Sequence, residues 1–246
     1  MITAIIQARL NSSRLKEKIL LKIEDKTLLE HLFSQLSHST QIDKKIIATT
    51  IDKMDDEIET LTKLQNITCF RGNHLNVLDR YYQCAKLFNL ETIVRISGDA
   101  PLIDPTIVDK TIEYYKKNTF DYVSNFFHRS YPVGTEVEIF SFKTLEKCWM
   151  NAKKTSEKEH VTPFIYNHPE LFNIGYIEYE DNLSHMHWTV DRIEDFQFIE
   201  SIFKKIKKRP ILLENILKLL ENEPELLEIN KNTDPTEGIK KSLLND

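Results

Sequence analysis

The sequence predicts an α/β protein, with a mainly parallel sheet covered by helices on both faces, and three observations lead to it. Short β-branched apolar runs alternate with stretches of helical periodicity through the first half of the chain. Capping residues stand just before several of those helical stretches. The composition is that of a globular chain: 246 residues, 41% hydrophobic and 29% charged, enough to bury one sizeable core.

Taken in order, strand-like runs at 2–7, 45–50, 67–70 and 92–96 are followed by helical patterns at 28–36, 56–64, 77–88 and 107–115. Thr27, with Glu30 three residues on, makes a capping box before Leu28; Asn76 precedes Val77, and Asp104 precedes Pro105 in a first turn. From Asp121 the pattern changes. Strand-like pieces at 122–125, 136–140, 172–179 and 187–190 surround two helical stretches, which predicts an inserted or antiparallel β region over about 121–190. A helix over 193–206 follows, then Pro210 and a Leu-rich amphipathic stretch at 211–220. Beyond Asn230 the chain is polar, with Pro235 and Gly238, and reads as a loosely docked terminus. The expected division is a main domain over 1–207 and a helical tail over 208–246.

Composition excludes several functions. The chain has only 5 glycines, about 2% where roughly 7% is usual. The nearest pair, Gly72 and Gly98, is too far apart for a Walker phosphate loop or a dinucleotide fingerprint. A codon bias towards Lys, Asn and Ile would produce the same shortage, and the surviving glycines would then mark positions where backbone geometry demands them. A net charge of −5 gives no global basic field for nucleic acid, and the short runs at 153–154 and 204–209 read as solvated helix ends. Cys69, Cys84 and Cys148 are odd in number and lie in apolar or helical patterns, which predicts a reduced cytoplasmic protein without a disulfide framework or zinc site. No apolar run approaches the ~20 residues of a membrane span, so no membrane partner is expected.

In open α/β sheets ligands bind at the carboxyl ends of the strands, so the loops there carry the functional argument. After the first strand, Arg9, Arg14 and Lys18 are three cations with Ser12 and Ser13 between them, a set that could wrap a polyphosphate or simply be a solvated basic loop. After the fourth, Ser97-Gly98-Asp99 would let the backbone approach a ligand while Asp99 holds a metal ion, or Asp99 could cap a turn. Late in the chain, Asp191 stands where a strand gives way to a helix, a place where Asp is more often an N-cap than a metal ligand.

The order of these segments resembles that in the nucleotidyltransferases that make CMP-activated sugar acids, the CMP-Kdo and CMP-sialic acid synthetases. The residues carrying the resemblance are Ala8-Arg9-Leu10-Asn11-Ser12-Ser13-Arg14-Leu15-Lys16-Glu17-Lys18, Gly98-Asp99-Ala100-Pro101-Leu102-Ile103 and Thr189-Val190-Asp191-Arg192-Ile193-Glu194-Asp195-Phe196, spanning about residues 1–205. The chain is also similar to the branch typified by spore-coat polysaccharide biosynthesis protein F. That likeness rests on Phe70-Arg71-Gly72, Val77-Leu78-Asp79-Arg80-Tyr81, Tyr131-Pro132-Val133-Gly134-Thr135-Glu136-Val137-Glu138 and Glu159-His160-Val161-Thr162-Pro163. One departure stands out: the synthetases usually read R-L-P-G-K in the phosphate loop, and here Lys16-Glu17 replaces Pro-Gly.

The resemblance implies a Rossmann-like three-layer nucleotide-diphospho-sugar transferase fold, with a mixed, mainly parallel sheet and a small antiparallel β region. It implies a Mg²⁺-dependent cytidylyltransferase that moves CMP from CTP to a sugar-acid-like acceptor. On that basis the base and ribose would lie over Ala8 and the Arg71-Gly72 turn with Ser97 near the base. Arg9, Ser13, Arg14 and Lys18 would hold the β- and γ-phosphates, and Asp99 and Asp191 would bind Mg²⁺. Arg14, Lys18, Asp99 and Asp191 form the expected catalytic set. Arg129, Tyr131, Glu136, Glu138 and His160 are the expected acceptor-binding residues, although Glu136 and Glu138 equally suit the wet face of an edge strand, and His160 suits a structural helix position. Homodimers are usual in these synthetases, and the β region after Asp121 would be the interface. Two other readings stay open: a glycosyltransferase of the same fold, for which no D-x-D metal motif is present, and a catalytically silent nucleotide-binding protein. Another nucleoside triphosphate could also replace CTP.

Overall fold

The strand β1 (Ile2–Gln7) serves two cores at once, with Ala4 and Ile6 facing one side of the sheet and Ile5 the other. Burial on both faces marks the middle of a helix-covered parallel sheet. In a computed structural model, which describes residues 1–12, 14–234 and 236–246, β1 lies between two parallel neighbours, β4 (Lys44–Thr50) and β6 (Thr92–Ser97). A small antiparallel hairpin, β2 (Lys22–Ile23) with β3 (Lys26–Thr27), intervenes in sequence between β1 and β4. The remaining strands are β5 (Thr68–Gly72), β7 (Tyr122–Ser124), β8 (Glu138–Ser141) and β9 (Ile174–Tyr176), giving the sheet order β5-β4-β1-β6-β8-β7-β9. The chain steps outward from β1 to β5, then returns to the other side of β1 as β6, so the strand order reverses between β1 and β6. A crevice opens at the carboxyl ends of strands at such a reversal.

Helices α1 (Leu28–Leu36), α2 (Asp56–Leu64), α4 (Pro105–Lys116), α8 (Ile193–Lys205) and α9 (Leu213–Asn222) pack on the Ala4 and Ile6 side. Helices α3 (Val77–Leu87), α5 (Phe142–Asn151) and α7 (Pro163–Asn167) pack on the Ile5 side. The expected caps form. The Thr27 hydroxyl accepts from the Glu30 amide (3.2 Å) while the Thr27 amide donates to the Glu30 carboxylate (2.8 Å), and Asn76 accepts from the Asp79 amide (2.9 Å). Asp104 accepts from the Thr106 amide (2.7 Å) at the start of α4 and, with its other oxygen, from Leu213 N at the start of α9 (2.6 Å).

Three features of the second half add detail that the pattern did not carry. Most of the β region after Asp121 is the far half of the main sheet, in which β8 alone runs antiparallel to its neighbours while β7 and β9 are parallel to each other. Residues 187–190 form no strand: His187 makes an isolated bridge to Val133, and Val190 N donates instead to Asp99 O (3.0 Å), so the segment is shared between two partners. The tail is docked. Gln35 exchanges a buried pair of hydrogen bonds with Ile211 (2.6 and 2.9 Å), and Leu213, Ile216 and Leu220 of α9 join the main core. Beyond it, α10 (Glu237–Leu243) folds back onto α6 (Thr155–His160). Among the described residues no helix is long and apolar enough to cross a membrane.

Candidate active site

The loop that follows β1 is pinned from beneath. Leu10 is fully buried, and its amide donates to Asp55 Oδ1 (2.8 Å), whose second oxygen is held by the Thr49 and Thr50 hydroxyls and the Thr50 amide. Glu17 N donates to Leu10 O (3.1 Å), closing the loop on itself. Glu17 then takes a left-handed backbone conformation, φ 53° and ψ 21°, immediately before the 3₁₀ turn Lys18–Leu20. This is the conformation a glycine adopts without strain. The turn is thus made without the glycine of the resembled motif, and Lys18 is delivered to the sheet mouth.

At the end of β6, Gly98 crosses β1 so closely that a Cβ on it would lie 2.6 Å from Gln7 O, and its amide donates to that oxygen (2.8 Å). This crossing sets Asp99 beside the phosphate loop, where Ser97 Oγ donates to its Oδ1 (2.6 Å). The third segment is tied in by the Val190 to Asp99 backbone bond. Asp191 is not the N-cap, a position held by Arg192; Asp195, the third residue of α8, is fully buried and accepts from the amides of Asp191 (3.0 Å) and Arg192 (2.8 Å), from Asn230 Nδ2 (3.1 Å) and from Thr233 Oγ1 (2.9 Å). Asp191 is free to point elsewhere.

It points at Lys18. The Lys18 ammonium, 7% exposed, lies 2.6 Å from Asp99 and 2.8 Å from Asp191, and Arg14 reaches Asp191 at 2.5 Å. Burial alone would raise the Asp191 carboxyl, but the attraction and hydrogen bonds of Lys18 and those of Arg14 outweigh it and hold the group at about 2. Burial likewise favours a neutral Lys18, and the two carboxylates overturn that and raise its value. Four residues from three segments remote in sequence thus share one charge cluster at the carboxyl ends of β1 and β6.

The cluster lies at a cleft of about 700 Å³, within the range of small-molecule sites. Of the expected residues, Ala8, Arg9, Arg14, Lys18, Ser97, Asp99 and His160 line it, and Asp191 joins through Lys18. Ser13 lies outside the described residues. Arg71 turns to α2, bonding Asp56 (2.5 Å), Glu59 (3.0 Å) and the carbonyls of Thr50 and Asp52. Gly72 leaves room for Arg80, whose Cγ would be 3.1 Å from a Cβ there.

The expected acceptor residues are not brought together. Arg129 pairs with Glu136 (3.0 Å), which also accepts from Gly134 N (2.6 Å), and Tyr131 is buried with its hydroxyl near Lys110 (3.2 Å). Glu138 is 3% exposed, registered opposite Arg95 on β6 and ion-paired with it, and it accepts from Tyr122 (2.6 Å) and Thr162 (2.5 Å). A buried carboxylate needs such partners, so Glu138 is neither a wet-face residue nor part of the cleft lining. His160 bonds Ser242 (2.9 Å), and burial and then Arg95 lower its pKa.

Arg80 stands in one of the segments that carry the resemblance, but no site role was expected of it. It is 2% exposed and lines the cleft; one guanidinium nitrogen donates to Asn73 O (2.8 Å), Nε has no partner, and among the described residues no carboxylate pairs with it. Burial pushes it down to about 10. The signal was there in the sequence: Arg80 sits three residues after Val77 and beside Tyr81, a cation on the apolar stripe of α3.

Comparison with known proteins identifies the family. An uncharacterized protein of Methanocaldococcus jannaschii is 40% identical over 233 residues, covering 94% of this chain and 95% of that one. The spore coat polysaccharide biosynthesis protein SpsF of Bacillus subtilis is 29% identical over 229 residues, 90% of this chain and 94% of its own. A solved cytidylyltransferase from Leptospira borgpetersenii superposes with a TM-score of 0.89 at 28% identity, covering 95% of this chain and 98% of its own. With residues 3–233 matching the cytidylyltransferase family as a whole, the chain belongs to that family and is a nucleotidyltransferase.

Proposed function

We propose that the protein transfers CMP from CTP to a sugar acid or related acceptor, with Mg²⁺ and release of pyrophosphate, in the synthesis of a surface glycan. The observation that carries the reading is the Lys18 ammonium within hydrogen-bond reach of both Asp99 and Asp191 beside a cation-lined cleft. Family membership supports a cytosine nucleotide, and the likeness to a spore coat polysaccharide protein supports the glycan setting.

Two carboxylates that already share one cation suit a hard divalent ion whose shell phosphate and water complete. Among the described residues no group of three or more His, Cys, Asp or Glu side chains could hold a metal. Asp99 and Asp191 would hold Mg²⁺, which would neutralise charge on the transferring phosphoryl group. Arg9, Arg14 and Lys18 hold the β- and γ-phosphates. As the acceptor oxygen bonds to the α-phosphorus, the bond from that phosphorus to the β-bridging oxygen breaks, and these cations take up the charge growing on pyrophosphate. A hydroxyl acceptor gives its proton to water in the open cleft.

Arg80 contacts the nucleotide, whose acceptor atoms fill its open Nε. Arg80→Met should weaken CTP binding about tenfold or more, the scale of one hydrogen bond to a charged group. Its melting temperature should not fall, because an apolar side chain of similar length replaces a buried cation without a carboxylate. Calorimetry and a thermal melt check both halves.

The reading as a whole is tested by calorimetry with CTP, ATP, GTP and UTP in the presence of Mg²⁺, followed by a pyrophosphate-release screen over sugar acids and sugar phosphates. CTP preference and acceptor-dependent pyrophosphate are expected, both lost in Asp99→Asn. Undiminished release by that variant would sink the proposal, and sugar transfer from a UDP-sugar would replace it with a glycosyltransferase.

A further inference from the structure

One wall of the cleft is made by a segment beyond the family match, which ends at residue 233. Lys241, Ser242 and Asn245, on α10 and just after it, line the same cleft as Arg9, Lys18 and Asp99. The segment is fastened on two opposite sides. At its start Glu237 pairs with Arg192 (2.9 Å), the residue after Asp191, and its charge reaches Arg14 of the phosphate loop. At its end the Asp246 carboxylate accepts from the amide and hydroxyl of Ser156 (both 2.7 Å), and Asn245 O accepts from Thr155 Oγ1 (2.9 Å), both on α6. Between them Ser242 Oγ donates to Glu159 (2.6 Å). The helix of seven residues spans about 10 Å, so it crosses from the Asp191 side of the cleft to the α6 side.

The fastenings are polar: Arg192 to Glu237 and Thr155 to Asn245 lie in solvent, those at Ser156 and Ser242 are partly buried, and Leu243 and Leu244 of the segment are 54% and 87% exposed. Contacts of this kind hold a segment weakly and let it open locally. Lys241 faces the cleft, and among the described residues it pairs with no carboxylate. An ammonium held at the mouth of a triphosphate site finds its counter-charge in the ligand.

We propose that residues 236–246 are a strap that closes over the bound nucleotide, and that Lys241 is a further substrate ligand donating to the triphosphate. The proposal rests on the reading of the cleft as a nucleoside triphosphate site. The strap closes the mouth once the nucleotide has entered, and the Lys241 contact adds to the polar fastenings only when phosphate is present.

The test compares the full chain, Lys241→Met and a chain ending at Asp234, by calorimetry with CTP, CMP and inorganic tripolyphosphate, together with hydrogen exchange of α10. Lys241→Met should bind CTP and tripolyphosphate about tenfold more weakly, as loss of one charge-assisted hydrogen bond implies, with CMP binding unchanged. The shortened chain should lose at least as much, and α10 amides of the full chain should gain protection on adding CTP. If the shortened chain does not fold, Lys241→Met and the exchange measurement still decide. CTP affinities within twofold of the full chain, or α10 protection indifferent to CTP, would overturn the strap while leaving the nucleotide reading standing. A full chain that binds neither CTP nor tripolyphosphate would overturn both.

Discussion

Lys18→Met should lower the rate of pyrophosphate formation by about 10²–10³-fold, the loss seen when one preorganised charge-stabilising donor is removed from an active site. The side chain is buried, and its ammonium is the common partner of Asp99 and Asp191. Methionine keeps most of the unbranched stem, so packing around the 3₁₀ turn survives. Of the paired cations only Arg14 remains, on Asp191, while among the described residues Asp99 keeps just the Ser97 hydroxyl. The two carboxylates repel each other, and the transferring phosphates lose their most deeply placed cation. The check is a steady-state pyrophosphate assay beside CTP calorimetry: kcat should fall further than CTP affinity, because the charge that Lys18 meets grows as the bond to pyrophosphate breaks. A variant with near-normal kcat would remove Lys18 from the mechanism.

Asp195→Ala should be the most destabilising single change near the site. It strips the shared acceptor from two backbone amides and from the side chains of Asn230 and Thr233, all in or bordering a fully buried position. Leaving such donors unsatisfied costs about 3–5 kcal/mol, or roughly 10 °C in melting temperature for a chain of this size. Activity should fall as well, since the same bonds hold the backbone that aims Asp191 at Lys18. Asp195→Asn, which keeps one acceptor oxygen, should recover part of the melting temperature. Equal melting curves for wild type and Asp195→Ala would contradict the role given to this carboxylate.

The first half of the fold was legible because local chemistry and tertiary placement agree there. Each β-branched run in that half is a strand, buried on both faces in β1 and half-buried in the edge strand β5, and Thr27, Asn76 and Asp104 cap the helices that their positions announce. The second half was less legible because its backbone bonds go to several partners. Val137 N donates to the Asn125 side chain and Glu136 folds back on Gly134, so β8 starts only at Glu138. At the site, the resemblance pointed to Lys18, Asp99 and Asp191, each of which the residues alone had left with a second reading, and the fold brings the three within hydrogen-bond reach. Alternation could not reveal that Glu138 faces Arg95 across the sheet, a pairing 43 residues apart in sequence. Nor could it reveal that the polar tail returns to the cleft, because its contacts are hydrogen bonds between remote polar side chains that leave no periodic trace.

Glu17 carries a consequence of another kind. A residue's identity and the conformation it must adopt are separable traits, and the phosphate loop has given up the first while keeping the second. The left-handed turn costs a glutamate about 1–2 kcal/mol that glycine would not spend, a small sum beside the ionic cluster it serves. Sequence filters that insist on glycine ahead of the lysine would therefore discard this chain and any relative with the same exchange. Filters that insist on the lysine and on an aspartate at each of the two junctions would retain it, because those three side chains form the ionic cluster itself.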